Sequence, residues 1–397
     1  MDTSEINRVV VWRSGMLAGA ETFIRDQGLA LRRWQPVFAG ATRVESPLAR
    51  DDDVIAFADD PGEFLRLRLT GRSARLHQLM GNLAPDLVHA HFAGDAWLVS
   101  RAAAAAGAPL IVTVHGHDVT RQPLAAGLRG VRYRRKLSTV FRRAALILAV
   151  SGPIRSRALG WCGVDPEKVR VHHTGVAIPA LQDAPRRWDV TFVGRFVDKK
   201  GADDLVEALA ALADLRPRVL FVGDGPLAET TRRHARRLRL DATFLGTQEH
   251  AAVGQALAAT RILAAPSRTA ADGDTEGLPT TILEASARGV PVVSTRHSGI
   301  PEAVMHETTG LLGPERDPVA LAAHLRRLLT NEDLRQRLGR QAREHVRRHF
   351  DLDRQTRLLE EMYDEVSTAR ATRRSHRAGP LVPRPRTPAP PERGPWR

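Results

Sequence analysis

The chain has 397 residues, of which 43% are hydrophobic, and it carries a single cysteine, Cys162. Its length favours two domains, since one domain commonly holds about 100–200 residues. The lone cysteine excludes an internal disulfide and a thiolate metal cluster, and no apolar run reaches the ~18–20 residues of a membrane helix. The N-terminus lacks the basic and apolar regions of a signal peptide, which predicts a cytoplasmic protein.

The net charge is +14, from 59 Lys and Arg against 45 Asp and Glu, and two segments hold much of it. Residues 373–397 contain seven Arg, one Glu and seven Pro, the composition of a disordered basic tail. Between Arg121 and Arg143 there are eight basic residues and no acidic one. This second cluster is either a solvated helix face or a surface for an anionic acceptor or an anionic membrane. No nucleic-acid-binding motif is present, so no nucleic-acid partner is predicted.

Short β-branched runs alternate with helical stretches through the first half of the chain. The predicted strands are Arg8–Trp12, Leu87–Phe92, Leu110–His115, Leu146–Ser151 and Val169–Thr174, and the clearest helices are Gly94–Ala106 and Lys136–Ala145. The pattern stops at residues 179–187, where prolines indicate a linker.

The same pattern restarts after the linker. Its predicted strands are Asp189–Gly194, Arg218–Gly223, Ala242–Leu245, Arg261–Ala265 and Pro291–Ser294. Its predicted helices are Ala202–Leu215, Pro226–Leu238, Thr280–Arg288 and Pro318–Leu329.

Alternating strands and helices predict an α/β protein with two doubly wound, Rossmann-like domains that face a central cleft. The predicted domains are residues 1–178 and 188–350, followed by a closing helix at 351–372 and the tail at 373–397. Ligands of such sheets bind beyond the carboxyl ends of the strands, so the loops there are the place to search for a site.

Two of these loops belong to the first half. Gly19 follows the first strand, where it either lets an anion approach backbone N–H groups at a helix start or serves as a structural turn glycine. The third strand ends at His115, next to His117 and Asp118. A histidine in this position is suited to proton transfer near neutral pH, whereas a metal site would need a third ligand that the sequence does not supply.

In the second half, Arg195 and Lys200 follow the first strand and precede a helix. The planar guanidinium of Arg195, the point charge of Lys200 and the positive helix end together suit a pyrophosphate. Further along, Asp272 and Asp274 offer a carboxylate pair that is an alternative, metal-mediated way to hold a diphosphate. The two cations already fill that role, so the prediction is a site without metal.

Two glutamates bracket a predicted helix start. Glu276 lies just before the helix, Pro279 fits the first helical position and Glu284 lies inside. The N–H groups of Gly277 and Leu278 are then directed at an anion. The order predicts sugar hydroxyls at one glutamate, a diphosphate at the helix end and a ribose at the other glutamate.

These motifs, in this order and spacing, resemble the retaining glycosyltransferases of family 4 (glycosyl transferases group 1), which have the two-Rossmann GT-B fold. The resemblance covers about residues 8–365. It is strongest to the bacterial subgroup that builds exopolysaccharides such as colanic acid. The motifs that carry it include Gly19-Ala-Glu21, His115-Gly-His-Asp118, His173-Thr-Gly-Val176, Gly194-Arg195, Lys200-Gly201, Glu276-Gly-Leu-Pro279, Glu284-Ala285 and Gly299-Ile-Pro-Glu302.

The resemblance implies a role for each candidate site residue. Arg195 and Lys200 would bind the donor diphosphate, and His115 would lie near the reacting sugar. The remaining donor contacts would be Glu276 to the sugar hydroxyls, Glu284 to the ribose, Gly19 to the β-phosphate, and the loop around Gln248 to the base.

The expected activity is transfer of a hexose-type sugar from a UDP- or GDP-sugar to a hydroxyl of a carbohydrate or lipid-linked acceptor, with retention of configuration and without metal or cofactor. The predicted catalytic set is His115, Glu276, Arg195 and Lys200. The last helix would cross back to the N-terminal domain, and the protein would be cytoplasmic with peripheral membrane association. Alternatives are a natural-product glycosyltransferase with a soluble acceptor, a GT-B sugar phosphorylase or epimerase, and a non-catalytic phosphate- or membrane-binding protein.

Overall fold

The computed structural model describes residues 6–161, 164–181 and 185–377. Cys162, the middle of the predicted linker and residues 378–397 of the predicted tail lie outside these residues. The N-terminal part contains β1 (Asn7–Met16), α1 (Thr22–Leu29), β2 (Trp34–Arg43), β3 (Val54–Ile55), α2 (Pro61–Thr70), α3 (Ala74–Leu83), β4 (Leu87–His91), α4 (Ala93–Ala105), β5 (Leu110–Val114), α5 (Arg121–Leu124), α6 (Gly127–Arg143), β6 (Leu146–Ala149), α7 (Gly152–Leu159) and β7 (Val169–Val171).

The C-terminal part repeats the alternation and ends in three long helices. Its elements are β8 (Trp188–Val193), α8 (Ala202–Ala210), β9 (Val219–Val222), α9 (Ala228–Arg237), β10 (Ala242–Phe244), α10 (His250–Ala258), β11 (Thr260–Ala265), α11 (Thr280–Ala287), β12 (Val292–Thr295), α12 (Ile300–Ala303), β13 (Gly310–Gly313), α13 (Pro318–Thr330), α14 (Glu332–His349) and α15 (Leu352–Arg377).

Two parallel sheets organise the chain. The first has the strand order β3-β2-β1-β4-β5-β6-β7 and the second β10-β9-β8-β11-β12-β13. Strands such as β4 and β5 are buried along their whole length, as expected where helices cover both faces of a parallel sheet. The predicted fold of two doubly wound, Rossmann-like domains is therefore confirmed.

The strand order reverses between β1 and β4 in the first sheet and between β8 and β11 in the second. Crevices for ligands open at such switch points, beyond the carboxyl ends of the strands. The loops after these strands carry Gly19, Phe92, Arg195 and Pro266, so both crevices hold motifs that the sequence singled out.

Each predicted strand lies on an observed strand, but the sequence patterns missed β2, β3 and β13. Strand β2 contains Pro36 and Gly40, which are poor strand formers, yet it pairs with β1 over most of its length. A Cβ at Gly40 would lie 2.7 Å from the carbonyl oxygen of Arg13, so close packing against β1 requires glycine there. Pairing and packing thus override local preference in this strand.

Helix α15 packs on the N-terminal sheet. The Tyr363 hydroxyl lies 2.6 Å from His89 Nδ1, and the Glu360 carboxylate accepts the backbone N–H groups of Arg32 and Arg33 at 2.7 and 2.6 Å. Leu359 and Tyr363 join the apolar side chains beneath this face of the sheet. The helix runs to Arg377, so its last residues fall in the segment predicted as a tail. The domain boundaries at 178, 187 and 350 stay predictions.

Candidate active site

Loops of the two domains are in direct contact. Gly116, with φ 136°, lies against the segment Thr275–Gly277, and a Cβ there would be 3.2 Å from the Gly277 nitrogen. A Cβ at Gly277 would be 2.0 Å from the carbonyl oxygen of His115. Ser151 Oγ donates to the Gly277 carbonyl at 3.1 Å. Only glycines at these two positions let the backbones come this close.

Glu276 lies at this junction. Lys200 Nζ is 2.8 Å from its Oε1, and Ser298 Oγ donates to its carbonyl oxygen at 2.7 Å. Burial by itself would raise the pKa of the Glu276 carboxyl, but the charges of Lys200 and Lys199 outweigh burial and hold the pKa at about 2. The carboxylate is therefore ionised at neutral pH, and its charge is fixed in place.

The backbone N–H of Glu276 donates to His297 Nε2 at 3.0 Å, and His297 Nδ1 lies 2.7 Å from Glu315 Oε1. Because Nε2 accepts, the ring carries its proton on Nδ1 and donates it to Glu315. Burial opposes ionisation of Glu315, but donors including the Thr269 N–H and His297 lower its pKa. His297 and Glu315 thus orient the Glu276 backbone. The sequence analysis missed both, although each lies just after a strand of the second sheet.

Arg268 is a second residue that the sequence analysis missed. Its guanidinium bonds Asp198 at 2.6 Å, Asp203 at 2.8 Å and Asp204 at 2.7 Å, and the side chain is buried. Burial disfavours the charged form, but the three aspartates raise the pKa of Arg268 above its ordinary value. The cluster ties the loop after β11 to the turn that carries Lys200.

Arg195 and Lys200 lie on the same turn, but they differ in burial and in whether a carboxylate pairs with them. The stem of Lys200 passes over Gly194, where a Cβ would be 3.4 Å from Lys200 Cε, and its ammonium is held by Glu276. The Arg195 side chain is exposed, and no carboxylate in the described part of the chain pairs with it. Arg195 is therefore the cation that can reach an anion without giving up a partner.

Helix α11 begins at Thr280, with Pro279 as the residue that precedes the helix rather than its first residue. Within the described ranges, the backbone N–H groups of Gly277 and Leu278 donate to no protein acceptor. Glu284 is buried inside the helix. Burial raises the pKa of its carboxyl, while His250 and Arg288 act in the opposite direction. Glu276 and Glu284 thus have different charged neighbours and do not form a pair.

Gly19 is exposed in the turn between β1 and α1, and a Cβ there would meet no atom closer than 3.9 Å. Packing therefore does not require a glycine at this position. The turn is held by Glu21, whose carboxylate accepts the Ala18 N–H at 3.2 Å and pairs with Arg13 at 2.8 Å. Gln248 lies exposed in the loop after β10, and its amide donates to the Leu245 carbonyl at 2.8 Å.

His115 follows β5. Its Nε2 lies 3.1 Å from His91 Nδ1, and its ring is 4.4 Å from that of Phe92. Burial, reinforced by the nearby charge of Arg13, lowers its pKa well below the ordinary value for histidine. Asp118 does not reach outward, because its carboxylate accepts backbone N–H groups at 3.0–3.1 Å, including that of His115. His115 is thus a neutral ring held by its neighbours.

The aspartates of the alternative metal site have cationic partners. Asp272 pairs with Arg121 at 2.6 Å, and Asp274 pairs with Lys199 at 3.1 Å. Over the described ranges, no three His, Cys, Asp or Glu side chains form a group that could hold a metal ion.

Two further motifs meet where the domains join. The Glu302 carboxylate lies 2.7 Å from His173 Nε2 and accepts the Gly152 N–H at 2.8 Å. Glu302 belongs to the C-terminal domain, whereas Gly152 opens helix α7 of the N-terminal domain. This contact joins the two domains.

Within residues 6–161, 164–181 and 185–377, no helix is long and apolar enough to cross a membrane.

A solved structure has the same two-domain fold. HepE from Anabaena, solved in complex with UDP, superimposes with a TM-score of 0.73 at 21% identity, over 91% of this chain and 100% of that one. This likeness shows the fold, and it confirms the predicted GT-B architecture.

The sequence matches known families over both domains. Residues 17–178 match Glycosyltransferase Family 4, and residues 178–345 match Glycosyl transferases group 1. WcaL of Escherichia coli K12, named for colanic acid biosynthesis, is 32% identical over 220 residues, and the match spans 53% of each chain, about half of that relative. The GDP-mannose-dependent α-(1-6)-phosphatidylinositol monomannoside mannosyltransferase of Mycobacterium tuberculosis H37Rv is 31% identical over 271 residues, 63% of this chain and 68% of that one. The chain therefore belongs to glycosyltransferase family 4, and its relatives include proteins named for exopolysaccharide biosynthesis.

Proposed function

We propose that this glycosyltransferase moves a hexose-type sugar from a UDP- or GDP-sugar to an acceptor hydroxyl in polysaccharide or glycolipid biosynthesis, with retention of configuration. The proposal rests on the position of the Glu276–Lys200 ion pair. The ionised Glu276, paired with Lys200, lies where the His115 loop of one domain meets the start of helix α11 in the other. A donor in this position would have cations, backbone N–H groups and a fixed carboxylate along its length.

In this proposal the diphosphate lies between Arg195, Lys200 and the N–H groups of Gly277 and Leu278. Glu276 would accept hydroxyl groups of the transferred sugar. Positive groups placed before the reaction stabilise the negative charge that develops on a departing nucleoside diphosphate. Departure would therefore need neither metal nor cofactor.

We assign the remaining donor contacts from where the other candidate residues lie relative to the proposed diphosphate. Glu284 would bind the ribose, the loop of Gln248 would meet the base, and the exposed backbone at Gly19 would approach the β-phosphate. His115 would lie near the reacting sugar as a neutral hydrogen-bonding group, because its pKa is lowered by burial. The acceptor hydroxyl would attack from the side of the leaving group and pass its proton to the departing phosphate, so Glu276 is not assigned as a nucleophile.

Related proteins support the donor class without identifying the sugar. HepE was solved with UDP, and the mycobacterial relative is named for GDP-mannose. The acceptor would be a carbohydrate or a lipid-linked glycan, with the protein at the cytoplasmic face of the membrane. A soluble natural-product acceptor is the alternative.

A panel of UDP- and GDP-sugars, read by mass spectrometry for hydrolysis and transfer, tests the proposal. We expect turnover of at least one donor, full activity in EDTA and an α-linked product from an α-linked donor by NMR. Glu276→Ala and Arg195→Ala should abolish turnover in protein that remains folded. A β-linked product would overturn the mechanism, a requirement for divalent metal would overturn metal independence, and a requirement for inorganic phosphate would indicate a phosphorylase.

A further inference from the structure

A cavity of about 700 Å³ opens in the N-terminal domain beside the candidate active site. We call it the basic cavity. Phe92 forms part of its wall, and the Phe92 ring lies 4.4 Å from His115. Its cationic and aromatic lining comes mainly from helices α2 and α6: Phe64, Arg68, Arg129, Arg132, Tyr133 and Lys136.

Three of its cations lie on one face of α6. Arg129, Arg132 and Lys136 are three and four residues apart, the spacing that places side chains one above another on a helix. Arg68 of α2 lines the same cavity, and its carbonyl oxygen accepts a hydrogen bond from Lys136 Nζ at 3.0 Å. No carboxylate in the described part of the chain pairs with any of the four.

Lys136 shows how crowded these charges are. Its ammonium lies 3.8 Å from the centroid of the Trp97 ring and contacts a carbonyl, but none of the described residues supplies a counter-ion. Burial lowers the pKa of Lys136, and the positive charges of Arg68 and Arg132 lower it further. Neighbouring cations of this kind repel one another until an anion lies between them.

The acidic residues of the basic cavity do not supply that anion. Asp95 is bound by the Arg13 guanidinium and by the Ser14 N–H at 2.7 Å. Asp118 is bound by backbone N–H groups. Some other arginines of the segment Arg121–Arg143 have partners instead, such as Arg142 with the Ser138 hydroxyl and Arg143 with the Ser100 hydroxyl, both at 2.9 Å.

We infer that the basic cavity binds an anionic group of the acceptor, a phosphate or a uronic acid carboxylate, and so holds the acceptor hydroxyl near His115. This inference rests on the proposed function, and it specifies the acceptor class. Arg129, Arg132 and Lys136 suit phosphate and carboxylate oxygens, because guanidinium and ammonium groups bind them with charge-assisted hydrogen bonds. The Phe64 and Tyr133 rings offer apolar surfaces for the faces of a sugar.

The test compares two double variants of the full chain that each remove two positive charges from helix α6. The first is Arg132→Ala with Lys136→Ala, which removes two cations of the basic cavity. The matched control is Arg135→Ala with Arg142→Ala, which removes two exposed cations that do not line it. Hydrolysis of the sugar nucleotide without acceptor, and calorimetric binding of UDP or GDP, report the donor site separately.

Transfer is measured to three acceptors: an oligosaccharide ending in glucuronic acid, the same oligosaccharide ending in glucose, and a farnesyl-phosphate-linked glucose. We expect an anionic acceptor to be preferred and its kcat/KM to fall at least about tenfold in the first variant, with a change within about twofold in the control. Donor hydrolysis should be unchanged in both. The carboxylate and phosphate arms identify which anion is used.

Two outcomes would overturn the inference while leaving the donor proposal intact. One is equal or better transfer to the neutral oligosaccharide by the wild-type enzyme. The other is an equal loss for anionic and neutral acceptors in the first variant, which would mean a structural role for Arg132 and Lys136. If the wild-type enzyme neither binds UDP or GDP nor hydrolyses any sugar nucleotide, the proposed function itself fails.

Discussion

Lys200 Nζ lies 2.8 Å from Glu276 Oε1, so the cation expected at the donor diphosphate and the carboxylate expected at the donor sugar form one ion pair. The two side chains are only 18% and 9% exposed. The loss of one member of such a pair is costly, because the other charge stays buried without compensation. Binding of a diphosphate at Lys200 would therefore act directly on Glu276.

We expect Lys200→Met to reduce the free energy of unfolding by about 3 kcal/mol, because it leaves the Glu276 carboxylate buried and unpaired. Adding Glu276→Gln should restore much of that loss, since the amide carries no charge. Urea denaturation of the four proteins in this cycle measures the coupling. Arg195→Met is the control, with a change within about 0.5 kcal/mol because Arg195 is exposed. Strictly additive effects in the cycle would contradict the ion pair.

The same carboxylate should make folding stability depend on acid pH. The pKa of Glu276 is about 2 in the folded protein, below its ordinary value of 4.5. Its stabilisation is therefore complete above pH 4.5 and is lost as the pH falls toward 2. We expect the difference in unfolding free energy between wild type and Glu276→Gln to shrink by up to about 3 kcal/mol between pH 6 and pH 2. If the pKa of Glu276 in the folded protein were normal, urea denaturation would show the same difference in unfolding free energy between the two proteins at every pH in this range.

His115 should stay neutral throughout the physiological range. Because burial lowers its pKa, the rate of donor hydrolysis should show no ionisation of this ring between pH 6 and pH 8. His91→Phe removes the ring nitrogen 3.1 Å away and should lower the rate by about tenfold to hundredfold through misplacement of His115. His234→Asn, which changes a histidine paired with Glu207, is the control. If the wild-type hydrolysis rate fell to half near pH 6.5, and this fall were absent in His115→Asn, the His115 ring would ionise in this range and the prediction would be wrong.

Gly277→Ala should separate the two domain loops. The added Cβ would lie 2.0 Å from the His115 carbonyl oxygen and 2.7 Å from Val150, so one loop must move. We expect at least about a tenfold loss of donor turnover, with a larger radius of gyration by small-angle X-ray scattering. Gly81→Ala in helix α3 meets no atom within 4 Å and should be neutral or stabilising. Equal behaviour of the two variants would argue against the contact.

Tyr363→Phe tests the attachment of helix α15 to the N-terminal sheet. It leaves His89 Nδ1 buried without its partner, which should cost about 1–3 kcal/mol in thermal or urea unfolding. Glu361→Gln changes an exposed neighbour on the same helix and should alter stability by less than about 0.5 kcal/mol. A negligible effect of Tyr363→Phe would mean that this bond does not hold the helix.

The sequence predicted the fold well wherever a strand is a short run of apolar residues. All the predicted strands were found, because buried parallel strands form short apolar runs that are visible locally. Strand β2 was missed because Pro36 and Gly40 mask it, and β13 because Gly310–Gly313 is too short to show a period. The candidate site was placed by short motifs around Gly19, His115, Arg195 and Glu276, but its supporting residues were not.

By itself, the sequence determined the two Rossmann-like halves and the family, and it singled out the loops of the candidate site, because these depend on residues that are close together along the chain. Only the tertiary structure decided which of those residues meet. It paired Lys200 with Glu276, tied Arg268 to three aspartates and placed Arg68 of α2 beside Lys136 of α6. Such contacts join segments far apart in sequence, and no local pattern encodes them. Their burial and charge follow from how the loops and helices of each half pack together.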